Sequence, residues 1–116
     1  MTQAVYVRTL LELYCGLPHT AVRRPTPQDR RIAAELFEQG VPLYLAEMAL
    51  LLALGRRSTR PPELPPLQPI RSLAYFLPVL EELRLEPPDP DYLDYLRGLQ
   101  DRLRPGDRIP TVSGER

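Results

Sequence analysis

The segment at residues 42–57, PLYLAEMALLLALGRR, constrains the fold of this chain more than any other. From Leu43 to Leu54, only Tyr44 and Glu47 interrupt a run of leucine, alanine and methionine. A helix that is apolar nearly all round must be enclosed by other elements, because water disfavours exposure of so much apolar surface. We therefore predict a buried central helix at about residues 42–57, with the rest of the chain packed around it.

Helical signals also mark four other segments. They are residues 4–15, the stretch from Pro27 to a stop at Gly40, residues 70–85, and the stretch from Pro90 to a stop at Pro105 and Gly106. Thr26 and Asp89 are the predicted N-caps of the second and fifth helices, each followed by proline, whose missing N–H matters least there. No segment alternates with period two, and no internal repeat is present. The sequence predicts an all-α, compact bundle of about five helices.

The 15 prolines cluster between the helical segments rather than being scattered. Residues 58–69, STRPPELPPLQP, are too rich in proline for a helix, so we expect an extended strap across the surface. Pro78 lies inside the fourth predicted helix, where it removes a backbone hydrogen bond. The sequence predicts a kink at this position, or two short helices that meet at Leu77 and Pro78.

The length of 116 residues is that of about one domain. We expect a single helical domain at residues 1–105 and a flexible tail at residues 106–116, which lack apolar density. One cysteine rules out a disulfide within the chain, and the N-terminus has no signal-peptide pattern. The most apolar stretch, residues 41–55, is shorter than the roughly 20 residues that span a bilayer. These features predict a cytoplasmic protein without a membrane partner.

No catalytic motif stands out. Cys15 and His19 are four residues apart, but Gly16 and Pro18 lie between them and exclude a shared helical face. No glycine-rich phosphate loop is present either. We therefore expect neither an enzyme nor a small-molecule substrate, with Cys15 a packed thiol and His19 a loop imidazole.

A metal or cofactor is not expected. One histidine and one cysteine cannot fill a zinc shell. Asp89, Asp91 and Asp94 superficially resemble a calcium loop, but the central glycine and distal glutamate of that motif are absent. Carboxylates at this position favour the positive end of the fifth helix instead.

Charge is distributed unevenly along the chain. All 15 basic residues are arginine, which binds phosphate and carboxylate in a planar, two-pronged geometry. The formal net charge of zero argues against a general polyanion binder. Residues 1–60 hold eight arginines against five acids, a net +3, whereas residues 61–116 hold seven against ten, a net −3. One end can therefore face phosphate or an acidic partner while the other repels it, unless the asymmetry is chance.

The arginines near helix ends are the candidate nucleic-acid contacts. They are Arg23, Arg24, Arg30, Arg31, Arg56, Arg57, Arg60 and Arg71. A helix N-terminus attracts phosphate through its unpaired amides, and adjacent arginines add to this attraction. The alternatives are helical ion pairs of Arg30 and Arg31 with Glu35 or Glu38, and a helix-dipole role for the arginines after the third helix. The third helix is too apolar to read bases, so phosphate contacts are favoured.

Tyrosines provide candidate protein contacts. Tyr44, Tyr92 and Tyr95 are the predicted interface residues, since tyrosine is enriched at protein interfaces. The alternative is that each lies half-buried at the rim of the core.

The segment LFEQGVPLYLAEMALLLALGRR, followed by PIRSLAYFLPVLEEL, resembles the helical domains of bacterial plasmid and phage replication initiators and of DnaD-type primosome proteins. The matching motif consists of Ile70, Arg71, Ser72, Tyr75, Phe76, Val79 and Leu80. The resemblance covers residues 28–84 and implies a helical module that binds DNA or assembles replication or mobile-element machinery. The winged-helix domain usual in initiators has no room here, and acidic PPDPDYLDYL stands where a basic tail is common.

Two functional hypotheses follow from these patterns. The first is a non-catalytic accessory module of DNA replication or a mobile element, which contacts phosphates through its arginines. The second is a helical adaptor or structural subunit of a larger nucleoprotein or protein assembly, with tyrosines and the acidic fifth helix as its contact surface.

Overall fold

The computed structural model describes residues 1–18, 20 and 24–103, and these residues form five α-helices and no β-strand. The helices are α1 (Gln3–Cys15), α2 (Pro27–Glu38), α3 (Leu43–Ser58), α4 (Leu77–Leu85) and α5 (Asp91–Leu103). A 3-10 helix, Leu73–Phe76, directly precedes α4. The predicted all-α fold is confirmed. The predicted tail at residues 106–116 lies outside the described residues.

The predicted central helix is α3. Half of its 16 residues are buried, and α1, α4 and α5 all pack against it. Its buried residues are Leu45, Ala46, Met48, Ala49, Leu50, Leu51, Ala53 and Leu54. Its neighbour in sequence, α2, lies mainly against α1 and the 3-10 helix. Consecutive helices α2 and α3 therefore do not pack along each other as the two helices of a DNA-binding helix–turn–helix do.

Both ends of α2 follow from local sequence. At the start, the Thr26 hydroxyl accepts a hydrogen bond from the Asp29 N–H, and the Asp29 carboxylate accepts one from the Thr26 N–H, which together form a capping box. At the end, Gly40 adopts a left-handed φ of 77°. The Gly40 and Val41 N–H groups donate to the Phe37 and Leu36 carbonyls, and Val41 is buried. This is a Schellman motif, for which glycine is the favoured residue.

Pro78 does not kink a continuous fourth helix. It is the second residue of α4, where its missing N–H would have had no partner within the helix. The 3-10 helix ends at Phe76 and α4 begins at Leu77, so two joined helical segments occupy the region of the fourth predicted helix. Of the two alternatives, the meeting of two short helices describes the structure better.

The buried face of α5 is aliphatic among its described side chains. Leu93 and Leu96 are buried, whereas Tyr92 and Leu99 are only half-buried. Tyr92 has a polar hydroxyl, which favours a position at the rim of the core, and the smaller aliphatic Leu93 fills the interior instead.

Two tyrosines of α1 belong to the core. Tyr6 packs edge-on against Phe37, and Tyr14 packs edge-on against Phe76, with ring centroids 5.4 and 5.9 Å apart. Among the described residues, neither hydroxyl has a hydrogen-bond partner. Burial raises the pKa of each to about 12, and the nearby Asp29 carboxylate adds to the rise at Tyr14. Both tyrosines are therefore packing residues rather than surface contacts.

Candidate nucleic-acid interface

A buried carboxylate organises the N-terminal end of α2. Asp29 is 0% exposed, and its two oxygens accept hydrogen bonds from different segments. The Thr26 N–H donates to Oδ2 and the Leu73 N–H donates to Oδ1, each over 3.0 Å. The Asp29 carboxylate thus accepts hydrogen bonds from backbone amides at the start of α2 and at the start of the 3-10 helix. The amides at both helix starts favour its negative charge. A parallel bridge between Thr20 and Ile70 runs alongside.

The Asp29 contact attaches Leu73 to the first turn of α2, and the bridge attaches Ile70 to Thr20 in the connection that precedes α2. Four arginines consequently belong to one end of the molecule, and we call them the basic surface: Arg24, Arg30, Arg31 and Arg71. All four are exposed. Within the described part of the chain, their guanidinium groups form no ion pair or hydrogen bond, so the pairing considered for Arg30 and Arg31 is absent there. Asp29 offsets one of the four charges, which leaves a local excess of three.

The backbone amides at the start of α2 offer fewer free donors for an anion than the sequence predicts. The Asp29 and Arg30 N–H groups already donate to Thr26, and Pro27 has no N–H. Among the described contacts, only the Gln28 N–H of this first turn is left without an acceptor. An anion at this end would therefore be held by arginine side chains rather than by a cradle of backbone amides.

Three other predicted arginines bind residues of the same chain. Arg56 at the end of α3 donates two hydrogen bonds to the Glu82 carboxylate of α4, over 3.1 and 2.9 Å. This bidentate contact lowers the pKa of Glu82. The pair joins α3 to α4 at the surface, where both side chains are about half exposed.

Arg57 and Arg60 hold the proline-rich connection, residues 58–69, which we call the proline strap. Arg57 donates to the Gln68 carbonyl over 2.9 Å and to the Tyr75 hydroxyl over 3.2 Å, and its guanidinium lies 5.6 Å from the Tyr75 ring centre. Arg60 donates to the Pro65 carbonyl over 3.1 and 3.3 Å. Proline-rich backbone forms no ladder of its own, so these side chains supply the partners that its carbonyls lack.

Arg97 of α5 pairs with Glu47, the one charged residue between Leu43 and Leu54 of the central helix. Two hydrogen bonds of 2.8 and 2.7 Å join the guanidinium to the Glu47 carboxylate, which is largely shielded from water. The sequence showed Glu47 as an interruption of an apolar helix. Its partner lies 50 residues away and could not be inferred from local spacing.

The three predicted interface tyrosines differ in exposure. Tyr44 and Tyr92 are half-buried against the core, whereas Tyr95 is 56% exposed. The Tyr92 and Tyr95 rings are stacked, with centroids 5.8 Å apart and 16° between their planes. Asp91 and Asp94 lie on the same exposed side of α5. Tyr95, Asp91 and Asp94 form what we call the acidic surface.

The other candidate residues belong to neither surface. Arg23 and His19 lie outside the described residues, and Cys15 is half-buried. No cluster of metal-ligating side chains occurs among the residues described. The described helices also include none with the length and apolar character that crossing a membrane requires.

Comparison with family models, curated proteins and solved structures gives no match to this chain. The local chemistry of the basic and acidic surfaces is therefore the basis for a functional interpretation.

Proposed function

We propose that the chain is a non-catalytic accessory module of DNA replication or of a mobile element, and that it contacts nucleic-acid phosphates through the basic surface. The observation that carries this proposal is a set of four exposed guanidinium groups at one end, without a described partner on the protein. Guanidinium is the side-chain group best matched to phosphate oxygens, and exposed charges keep their full attraction for a polyanion until they are paired.

The proposed contact is to the backbone rather than to bases. Base reading needs a helix with an exposed polar face that enters a groove. The central helix α3 is enclosed, and α2 offers its N-terminal end. The acidic surface on α5 would be repelled by phosphate, so a nucleic acid would meet the molecule in one orientation.

The resemblance of residues 28–84 to the helical domains of replication initiators and DnaD-type primosome proteins supports the proposed setting. Arg71 is the basic residue of the motif on which that resemblance rests. It is also a member of the basic surface. The same side chain thus connects the sequence pattern with the proposed phosphate contact.

The test is salt-dependent binding of fluorescently labelled DNA, single- and double-stranded, followed by anisotropy. We expect binding at low salt that weakens steeply as salt rises, because each phosphate contact releases about one counterion. Arg71→Ala is expected to weaken binding roughly tenfold and to reduce the slope of log affinity against log salt by about one.

The matched control is Arg84→Ala, since Arg84 is exposed on α4 but donates to Gln39 and Glu81. Its affinity and salt slope should equal those of the unmodified chain. Absence of binding at the lowest salt, or equal losses in the two variants, would contradict the proposal.

A second candidate function is that of an adaptor that works by protein contact. The exposure of Tyr95 beside Asp91 and Asp94 favours it, because an exposed aromatic ring with charged neighbours is typical of an interface anchor. This function needs the acidic surface and not the basic one, so substitutions separate the two candidates.

A further inference from the structure

A groove of about 750 Å³ runs between α1 and α2. Its apolar lining includes Val7, Leu11 and Ala34, which are buried or half-buried. The exposed arginines Arg8 and Arg30 also line it. The remaining lining residues are Gln3, Ala4, Glu12, Cys15 and Pro25. The groove thus offers an apolar base with two arginines and one carboxylate at its edges, a net charge of +1.

The acidic surface of α5 has the complementary chemistry. Asp91, Asp94, Tyr95 and Gly98 fall at helical spacings on one face, opposite the Leu93 and Leu96 that pack on α3. Tyr95 provides an exposed ring, the aspartates provide negative charge, and Gly98 has no side chain to obstruct close approach. The Asp94 side chain is 78% exposed and lies 3.7 Å from an Arg97 nitrogen, a contact too long to neutralise it fully.

The two surfaces lie on different neighbours of the central helix. Both α1 and α5 pack against α3, and no extensive contact joins α5 to α1 or α2. Within the described chain, α5 therefore sits apart from the groove, while every copy of the molecule carries both surfaces.

We propose that α5 of one copy docks in the α1–α2 groove of a second copy. Tyr95 would enter the apolar part of the groove, and Asp91 and Asp94 would face Arg8 and Arg30. This inference rests on the second candidate function, in which the acidic surface is a protein contact, and it names a second copy as the partner. Two different surfaces meet, so the contact forms either twice in a two-fold dimer, in which each copy docks its α5 in the other's groove, or head-to-tail in a ring or an open chain.

Charge complementarity favours a second copy over another partner. The groove edge carries a net positive charge, and the exposed face of α5 carries two carboxylates with an aromatic ring beside them. A contact through one helix face buries a small area, so association should be weak and depend on protein concentration. It should weaken further as salt screens the charges.

Disulfide trapping tests the contact directly, because Cys15 lines the groove and is the only cysteine of the chain. Tyr95→Cys places a second thiol on the docking face. Under mild oxidation we expect a disulfide between Cys15 of one copy and the introduced thiol of another, identified by mass spectrometry of the linked peptides. Leu85→Cys is the control, since Leu85 is 88% exposed on α4, outside the proposed contact. The Tyr95 variant should link to Cys15 at least tenfold faster than the control.

Charge reversal gives a second measurement that needs no new thiol. Sedimentation velocity should show weaker association for Arg8→Glu with Arg30→Glu, and for Asp91→Arg with Asp94→Arg. Mixing these two variants should restore association, because each then meets an oppositely charged surface. Association unchanged by either reversal, a monomer at every concentration, or equal trapping rates would overturn the proposal.

These experiments contain no nucleic acid and leave Arg24, Arg31 and Arg71 intact. A failure of self-association therefore says nothing against phosphate binding. Conversely, a chain that binds no DNA can still show the trapped disulfide and the restored association.

Discussion

Replacing Asp29 with alanine is expected to lower the free energy of unfolding by about 3 kcal/mol. The Asp29 carboxylate is fully buried and accepts hydrogen bonds from the Thr26 and Leu73 amides. Its removal leaves the buried Leu73 N–H unpaired, which costs about 1–3 kcal/mol, and removes the partner of the partly buried Thr26 N–H. It also eliminates the capping box of α2 and the link between α2 and the 3-10 helix.

Urea denaturation followed by circular dichroism measures this loss. Asp89→Ala is the matched control, because the exposed Asp89 accepts one hydrogen bond, from the Asp91 N–H at the start of α5. A cap of this kind contributes about 1 kcal/mol. Asp29→Asn should fall between the two, since an amide oxygen keeps one acceptor and the amide nitrogen cannot accept the other bond. An Asp29→Ala variant no less stable than Asp89→Ala would refute the bridging role.

Leu50→Ala is expected to destabilise the chain by about 3–4 kcal/mol. Leu50 is 2% exposed at the centre of α3, where it borders a small, partly open apolar pocket of about 10 Å³ together with Phe76 and Leu80. Truncation removes apolar contacts and enlarges a void that the surrounding helices fill only partly by relaxing.

Leu52→Ala is the control, because it makes the same substitution at a half-buried position of the same helix. Leu52 is half-buried, so its truncation should cost about 1 kcal/mol and leave a site open to water rather than a cavity. Both variants are compared by urea denaturation at equal protein concentration. Equal losses for Leu50 and Leu52 would mean that α3 is not enclosed as described.

Local signals were sufficient to predict much of the fold. The apolar run of α3, the Thr26–Pro27–Asp29 start of α2 and the Gly40 stop each act within a few residues, so their spacing along the chain determines the structure. Pro78 predicts an interruption of the fourth helix. The form of this interruption depends on Ser72, whose hydroxyl accepts a hydrogen bond from the Ala74 N–H and caps a separate 3-10 helix.

The features that could not be predicted are contacts between distant parts of the chain. Asp29 reaches Leu73, which is 44 residues away, and Arg56 reaches Glu82, which is 26 residues away. A carboxylate in a first helical turn already has a local explanation as a cap, so nothing in the sequence required a second partner for Asp29.

The predicted arginines fall into two groups for the same reason, those bound to other residues of the chain and those of the basic surface. Sequence position identified arginines near helix ends, but it could not distinguish those that would find carbonyl and carboxylate partners from those that would not. Arg57 and Arg60 bind the proline strap because its carbonyls lie within their reach after folding. Arg31 and Arg71 have no such acceptor among the described residues.

The most direct test of this division compares DNA binding by two triple variants under identical salt conditions. One combines Arg24→Ala, Arg31→Ala and Arg71→Ala, and the other combines Arg56→Ala, Arg57→Ala and Arg60→Ala. We predict that the first variant keeps its melting temperature and binds DNA much more weakly, with a salt slope reduced by about two to three. The second should be less stable but, at a temperature where it is folded, should bind as the unmodified chain does. Unchanged affinity in the first variant, or lost binding in the folded second variant, would contradict the account.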